Sequence, residues 1–414
     1  MRPTRPIRVA VVGGGPAGAH CARRLARHGL EVSLFERRIN FEKPCGGGLP
    51  SRGMERFPFL RDPRLPTRKI RRCTLVSPSG RQVEVPLDDP VHIFSRADLH
   101  ALLLDRAVAA GVELERGRVA GFAGRRGQGG VTWTLTVQQR QGVVERGPFD
   151  FLVAADGAAG TARRRLARPL PSSDLTQAIG CYLPGHTEGR MVLKFYSGLG
   201  GYLWVFPRPD HSSAGICAPL GRLPAAGLRR LMDDFLIRRY GEKILARAER
   251  YAALIPGPPA QGTARKVQGE GWALVGDGAG AVDPLTREGI YYAMLTGEIL
   301  AGCLAAGRPQ DYAEAWDRER GGEFALARRM AARFFDASFL EWLVRLCGIS
   351  PAIARVLSDL IAGRQPYRTL GRRLILGLPA LAAQGPLFLL AGGAIGRRGT
   401  RRLSASRDTG STGR

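Results

Sequence analysis

Apolar residues along the chain alternate between two rhythms, and the change from one to the other marks out the elements. Ile7 to Val12 is a short β-branched run that breaks into Gly13-Gly14-Gly15-Pro16-Ala17-Gly18. Ala19 to His28 then repeats at helical spacing, Gly29 stops it, and Glu31 to Glu36 is a second apolar run ending in an acid. Strand, glycine turn, helix and strand in that order predict one βαβ unit with parallel strands. Between Arg37 and Pro90 the periodicity weakens and prolines are frequent, which predicts loops with edge strands at Ile70 to Ser77 and Gln82 to Pro86. Helical spacing returns at Arg96 to Ala110. Trp133 to Gln139 alternates like a half-buried strand, and Phe149 to Ala155 is continuous like a buried one.

From Gln177 to Pro219 the alternating stretches Met191 to Tyr196, Tyr202 to Phe206 and Ser213 to Ala218 are separated by Gly and Pro, which predicts an antiparallel sheet. Leu228 to Ala248 is read as helix, Trp272 to Val275 as another buried strand, and nearly everything from Gly289 to Leu360 as helix. No internal repeat interrupts this order.

Composition is that of an ordinary globular protein, 44% hydrophobic and 24% charged over 414 residues, enough for two or three structural units. Charge changes the picture more. Lys and Arg number 62 against 36 Asp and Glu, a formal +26, and only five of the 62 are lysine. The arginines are spread through every segment instead of forming one stripe, so nucleic acid is not the expected partner; an anionic membrane surface fits better. Seven cysteines without a CxxC pair and six histidines without HxxxH or HExxH spacing exclude a disulfide framework and a zinc site, and no metal is expected. They fit a reducing cytoplasm. The first apolar stretch is too short for a signal peptide.

The chemistry starts with Gly13-x-Gly15-x-x-Gly18. Between a strand and a helix, glycines let the backbone approach a pyrophosphate whose charge the helix N-terminus holds, and Glu36, 18 residues beyond Gly18, can accept from ribose hydroxyls. This is a dinucleotide site, and its pattern leaves NAD and FAD open. Two later strands end in an Asp beside glycine, Phe151 to Gly157 with Asp156, and Trp272 to Gly280 with Asp277. At the carboxyl edge of a parallel sheet each carboxylate can accept from polyol hydroxyls, although either alone also reads as a turn.

In this order the motifs over about residues 7 to 310 resemble the flavoproteins that include aromatic hydroxylases, flavin halogenases and geranylgeranyl reductases. Three segments narrow the resemblance to the last group. Lys43-Pro44-Cys45-Gly46-Gly47-Gly48-Leu49 is similar to its cysteine-glycine loop, Gly201-Tyr202-Leu203-Trp204-Val205-Phe206-Pro207 to its YxWxFP signature, and Asp283-Pro284-Leu285-Thr286-Arg287-Glu288-Gly289-Ile290 to its PLxxEGI segment. The resemblance implies FAD held by Gly13, Gly15, Ala17, Gly18, Glu36, Arg37, Cys45, Gly46, Arg96, Asp156, Gly157, Gly276, Asp277, Pro284, Gly289 and Ile290. The helix beginning near Gly289 would aim its positive end at the flavin N1/O2 side. Alternation puts Tyr202, Trp204 and Phe206 on one side of a strand, where they read either as core or, with Tyr196, as the wall of a tunnel for a polyprenyl chain.

The expected fold is α/β: a glutathione-reductase-like FAD-binding Rossmann domain from residues 1–60, 90–170 and 260–310, and an inserted antiparallel β-sheet substrate domain from 61–89 and 171–259. A helical region, 311–372, and an apolar and basic membrane-associating segment with a tail, 373–414, follow. The resemblance implies reduction of isolated double bonds in a geranylgeranyl or polyprenyl group on a lipid or pigment. Such an alkene is not electrophilic, so hydride from reduced flavin needs a proton as well, and Cys45 and Tyr202 are the candidate catalytic residues. With a single GxGxxG, NADPH or reduced ferredoxin, the latter a protein partner, would donate electrons transiently. The alternatives are an FAD-dependent monooxygenase on a hydrophobic substrate and a non-catalytic flavoprotein. Leu374 to Gly396 is uncharged but broken by Pro379 and Pro386, and ten arginines against one acid lie between Gly363 and Arg414. Residues 374 to 402 are therefore expected to lie on the inner face of the cell membrane as a peripheral anchor.

Overall fold

The computed structural model describes residues 5–257 and 266–377. The expected membrane segment 374–402 thus falls outside the described residues beyond Gly377.

The β-branched run Arg8–Val12 becomes the centre of a six-stranded sheet because its side chains are apolar on both faces, as a parallel strand between helices requires. Glu31–Glu36 and Phe151–Ala154 flank it in parallel, and Glu113–Arg116 and Trp272–Leu274 extend the parallel set outward. The antiparallel pair Gln268–Gly269 closes one edge. Helix Pro16–Arg27 starts with proline at its first position, where no N–H is needed, and packs against helix Ile290–Ala305. Gly297 lets the two helices touch: a Cβ there would stand 2.7 Å from the Ala17 carbonyl oxygen. A three-stranded antiparallel meander, Arg118–Gly127, Gly130–Gln139 and Gly142–Phe149, lies beside this sheet.

The larger sheet has eight strands, and its two faces have different fates. Leu175–Pro184, His211–Pro219, Tyr202–Pro207 and Met191–Phe195 run antiparallel in that spatial order. Met191–Phe195 then pairs in parallel with Thr67–Val76, so the sheet is mixed. One face, through Val192, Leu203, Val205 and Ile216, packs on Leu228 and Met232 of helix Ala225–Tyr240. The other, through Ile70, Leu75, Ile93 and Phe195, faces the C-terminal helices Gly322–Phe334, Ala337–Ile349 and Pro351–Ile361.

Two expectations change. The stretches read as short edge strands are Thr67–Val76 and Gln82–Phe94, both interior to the sheet order. Their prolines are tolerated because the ladder shifts register between Ile70 and Arg72, opposite the Pro86 to Pro90 stretch, where a missing N–H costs least. The helix expected to run to Ala248 ends at Tyr240, followed by a 3-10 turn at Glu242–Leu245.

Candidate active site

The main cavity lies where the two sheets meet. It is lined by the Lys43 to Gly48 loop, Arg96, the Asp277 turn, the segment from Val282 to Ile290, the inner face of the eight-stranded sheet and the C-terminal helices.

At one end, marked by Pro16, Lys43, Arg96 and Asp277, the groups suit a negatively charged, polar ligand; Gly13, Gly15, Gly18, Glu36 and Gly276 adjoin this end without lining the cavity themselves. The glycine turn is forced by sterics: Gly13 has φ +103°, and a Cβ on Gly18 would stand 1.9 Å from the Gly13 carbonyl oxygen. At Gly15 a Cβ would meet nothing within 4 Å, so the turn is open on that side. Glu36 folds back on the turn, its Oε2 accepting from Gly14 N at 2.6 Å. Gly276 sits against Ala17, where a Cβ would approach to 2.7 Å, and Asp277 faces Lys43 across the cavity mouth, with Nζ to Oδ2 at 3.1 Å. Helix Ile290–Ala305 begins after Gly289 with no side chain capping its first N–H groups, and Ile290 lines the cavity. Arg96 is 6% exposed, lines the cavity and has its Nε buried without a partner. An unpaired buried donor, an open glycine turn and an uncapped helix start are what an FAD would engage, so the residues present fit that cofactor.

Cys45 sits at the midpoint. Its Sγ accepts from Gly47 N at 3.3 Å, and its carbonyl accepts from Arg208 Nη2 and Ser213 Oγ, both at 2.9 Å. Arg208 is fully buried and also donates to Glu42 Oε1 at 2.7 Å. Glu42 in turn accepts from Ser95 Oγ and from the backbone N–H groups of Arg96 and Ala97. One ion pair therefore ties the cysteine loop to the start of the helix that carries Arg96. Nothing in the sequence pattern signals this pairing, because its members lie more than a hundred residues apart.

Beyond Cys45 the cavity becomes apolar. Tyr202, Trp204 and Phe206 line it as the alternation requires. Phe206 and the Trp204 indole lie against Gly46, where a Cβ would come within 2.6 Å of the Phe206 ring, and Trp204 Nε1 is buried without a partner. The far wall is Phe334, Phe335, Leu343, Leu357, Leu360 and Ile361 of the C-terminal helices, which the sequence reading did not associate with the site. Aromatic rings follow one another from the site to the surface: Trp204, Tyr202, Phe195, Phe334, Phe339 and Trp342, with centroids spaced 5.8 to 6.5 Å apart.

Several expected residues stand elsewhere. Tyr196 is not in the cavity: its parity turns it to the opposite face of the sheet, where its hydroxyl donates to Leu231 O at 3.0 Å. Phe195 takes the cavity position, on the same side as Met191 and Leu193, an apolar period of two that was available in the sequence. Tyr202 lines the cavity, but its hydroxyl donates to Thr286 O at 2.6 Å, and burial raises its pKa well above the ordinary phenol. The Tyr202 proton is thus directed at the Thr286 carbonyl and not into the cavity. Asp156 accepts from Ala162 N at 2.8 Å and so caps the helix Thr161–Leu166; Gly157 follows it, and neither lines the cavity. Arg37 is exposed, and Pro284 is buried behind the lining.

The sequence profile of the FAD binding domain family matches residues 6–181. A geranylgeranyl diphosphate reductase of Rhodobacter capsulatus is 30% identical over 81% of this chain and 87% of its own length. A digeranylgeranylglycerophospholipid reductase of Methanopyrus kandleri is 27% identical over 80% and 87%. Among solved structures, a geranylgeranyl bacteriochlorophyll reductase-like protein of Thermoplasma acidophilum superposes with a TM-score of 0.72 over 92% of this chain and all of its own, at 19% identity, a likeness of fold.

Proposed function

The chain belongs to the geranylgeranyl reductase family of FAD-dependent oxidoreductases, and from that membership we propose that it saturates isolated double bonds of a geranylgeranyl or other polyprenyl group carried on a lipid or pigment. The observation that carries this reading is the cavity itself: Lys43, Arg96 and Asp277 at one end, Cys45 in the lining, and an apolar wall of aromatic rings and C-terminal helices beyond it. An FAD-dependent monooxygenase acting on a hydrophobic substrate could use the same apolar wall, and the relatives named as reductases favour the reductase reading over it.

Bound FAD, once reduced, supplies hydride. The chain's own residues do the rest. Gly13, Gly15 and Gly18 admit the pyrophosphate, while Arg96, Asp277 and the first N–H groups of Ile290–Ala305 hold the flavin end. Trp204 and Phe206 exclude water and offer aromatic faces to a carbon centre that becomes electron-poor as it is protonated. With the Tyr202 proton engaged by Thr286, Cys45 is the remaining named candidate to hold and deliver a proton. NADPH or reduced ferredoxin serves as transient donor in this reading.

The architecture reads as a glutathione-reductase-like FAD domain with an inserted substrate domain and a helical C-terminal region. The strand Gly48–Pro50 belongs by its pairing to the substrate sheet. No helix among the described residues is long and apolar enough to cross a membrane. We place the protein in the cytoplasm, peripheral at the inner membrane face, because the last described helix ends in the exposed Ile375 and Leu376 and leads into the arginine-rich segment.

The test is mass spectrometry of geranylgeranyl lipids incubated with FAD-loaded protein and a reductant under nitrogen, where each turnover adds two hydrogens. Reducible FAD with no mass gain on any prenyl substrate would defeat the proposal, and product that requires stoichiometric oxygen would replace it with a monooxygenase.

A further inference from the structure

Arg287 is a non-glycine residue held in the left-handed backbone region, φ +61°, at the corner of the turn between Asp283 and Glu288. The turn is tightly built. Asp283 N donates to Glu288 O at 2.9 Å, Arg287 N donates to Asp283 O at 3.1 Å, and Asp283 Oδ1 accepts from the N–H groups of Leu285 and Thr286. An arginine at a position that suits glycine is costly, and such residues persist where the side chain has work to do.

Its side chain lines the cavity, with Nη1 3.9 Å from where a Cβ on Gly257 would stand, at the rim left by the outermost strand of the large sheet. Tyr202 and Cys217 line the same cavity. Yet among the described residues the guanidinium has neither hydrogen bond nor ion pair, and its Nε is buried without a partner. The carboxylates nearby pair with other groups: Asp283 with its own turn and Tyr367, Glu288 through Oε2 with Arg52, Asp277 with Lys43, and Asp174 with Arg328. Its Nε is shielded from water while the terminal nitrogens stay open to the cavity, so the guanidinium presents an unpaired planar fork that matches the oxygens of a phosphate ester.

Resting on the prenyl reductase reading above, we propose that Arg287 seats the anionic head of the substrate, a phosphate or diphosphate ester, while the polyprenyl chain extends along the aromatic wall past Cys45. The substrate is then a charged prenyl ester and not a neutral prenyl alcohol, quinone or pigment. A free prenyl diphosphate and the phosphate of a prenyl glycerolipid share this chemistry.

The experiment compares FAD-loaded wild type with Arg287→Gly and Arg287→Lys. Glycine relieves the backbone, so the first variant should fold at least as stably, which its melting temperature checks. Binding is read directly, from tryptophan fluorescence on titration with geranylgeranyl diphosphate, digeranylgeranylglyceryl phosphate in detergent and geranylgeraniol. Arg287→Gly should weaken binding of the charged esters about tenfold or more relative to its effect on the alcohol, in line with a lost charge-assisted contact, and Arg287→Lys should restore part of it. The two esters ranked by wild-type affinity identify the source. Equal loss for charged and neutral ligands, no loss at all, or a shift in FAD affinity or midpoint potential without change in ligand preference would each overturn the assignment. Because binding needs no turnover, an Arg287-dependent affinity without reduction would sustain this inference while the catalytic reading failed.

Discussion

Tyr202 and Cys45 both border the cavity, and one hydrogen bond separates their chemistry. The Tyr202 proton is held by the Thr286 carbonyl at 2.6 Å, whereas the Cys45 thiol sulfur only accepts, from Gly47 N. Tyr202→Phe should therefore cost about 1 kcal/mol of stability, the usual worth of one such bond, and keep the shape of the kcat pH profile. Cys45→Ala should retain FAD and its reduction by the donor, yet slow prenyl reduction by roughly 10²-fold or more, the range of a lost acid catalyst. Stopped-flow reduction and steady-state turnover measured on both variants check this; unchanged turnover in Cys45→Ala would demote it to scaffold. Glu42 gives a pH signature. Burial acts to raise its pKa, but Arg208, Ser95 and the Ala97 and Arg96 N–H groups outweigh that and hold it below its ordinary 4.5. A carboxylate depressed on folding contributes stability above its unfolded pKa that is lost as pH falls through the native value. The melting temperature should thus decline as pH drops below about 4.5, and Glu42→Gln should flatten that part of the calorimetric curve while lowering stability at neutral pH.

Pairs of elements decide how wide the passage is. Trp204 stands directly opposite Gly215 in the neighbouring strand, and its indole lies over that glycine: a Cβ there would stand 2.3 Å from the ring. Tyr251 covers Gly180 in the same way. Gly215→Ala should push the indole into the cavity, raising KM for the prenyl substrate while leaving FAD affinity in place; equal losses in both would mean that the sheet itself had been disrupted. A second junction joins three elements. Arg52, in helix Ser51–Arg56, pairs with the buried Glu288, donates to Tyr292 Oη at 3.0 Å and to Gly363 O at 2.9 Å, and lies over the Tyr291 ring. Arg52→Met would strand the Glu288 charge and should cost about 3 to 5 kcal/mol, the penalty for breaking a buried pair from one side, read by chemical denaturation.

For the molecule as a whole, the proposed membrane docking rests on the formal charge of +26 and on the exposed apolar end of the last described helix. Full-length protein should pellet with anionic liposomes at low salt, release as ionic strength rises, and lose that binding when truncated after Arg373, since each basic residue near such a surface contributes about 1 kcal/mol. Binding that survives the truncation would move the docking surface to the folded body, where Trp342, 39% exposed, ends the aromatic series that begins at Trp204.

Local chemistry was legible without coordinates wherever adjacent residues carry it. The β-branched run, the glycine turn and Glu36 specify a dinucleotide turn because sterics and hydrogen bonding act over a few residues, and the period of two in Tyr202, Trp204 and Phe206 places all three on one face. Parity says that such residues share a face, not which face meets the cavity, and only the packing of helix Ala225–Tyr240 puts Tyr196 on the covered side. The interior position of Thr67–Val76, the ion pair of Glu42 with Arg208, the far wall from Phe334 to Ile361 and the lone guanidinium of Arg287 all arise between segments distant in the chain. Apolar helix positions look alike whether they face a core or a passage, and a charge is paired or unpaired only by what the fold brings to it.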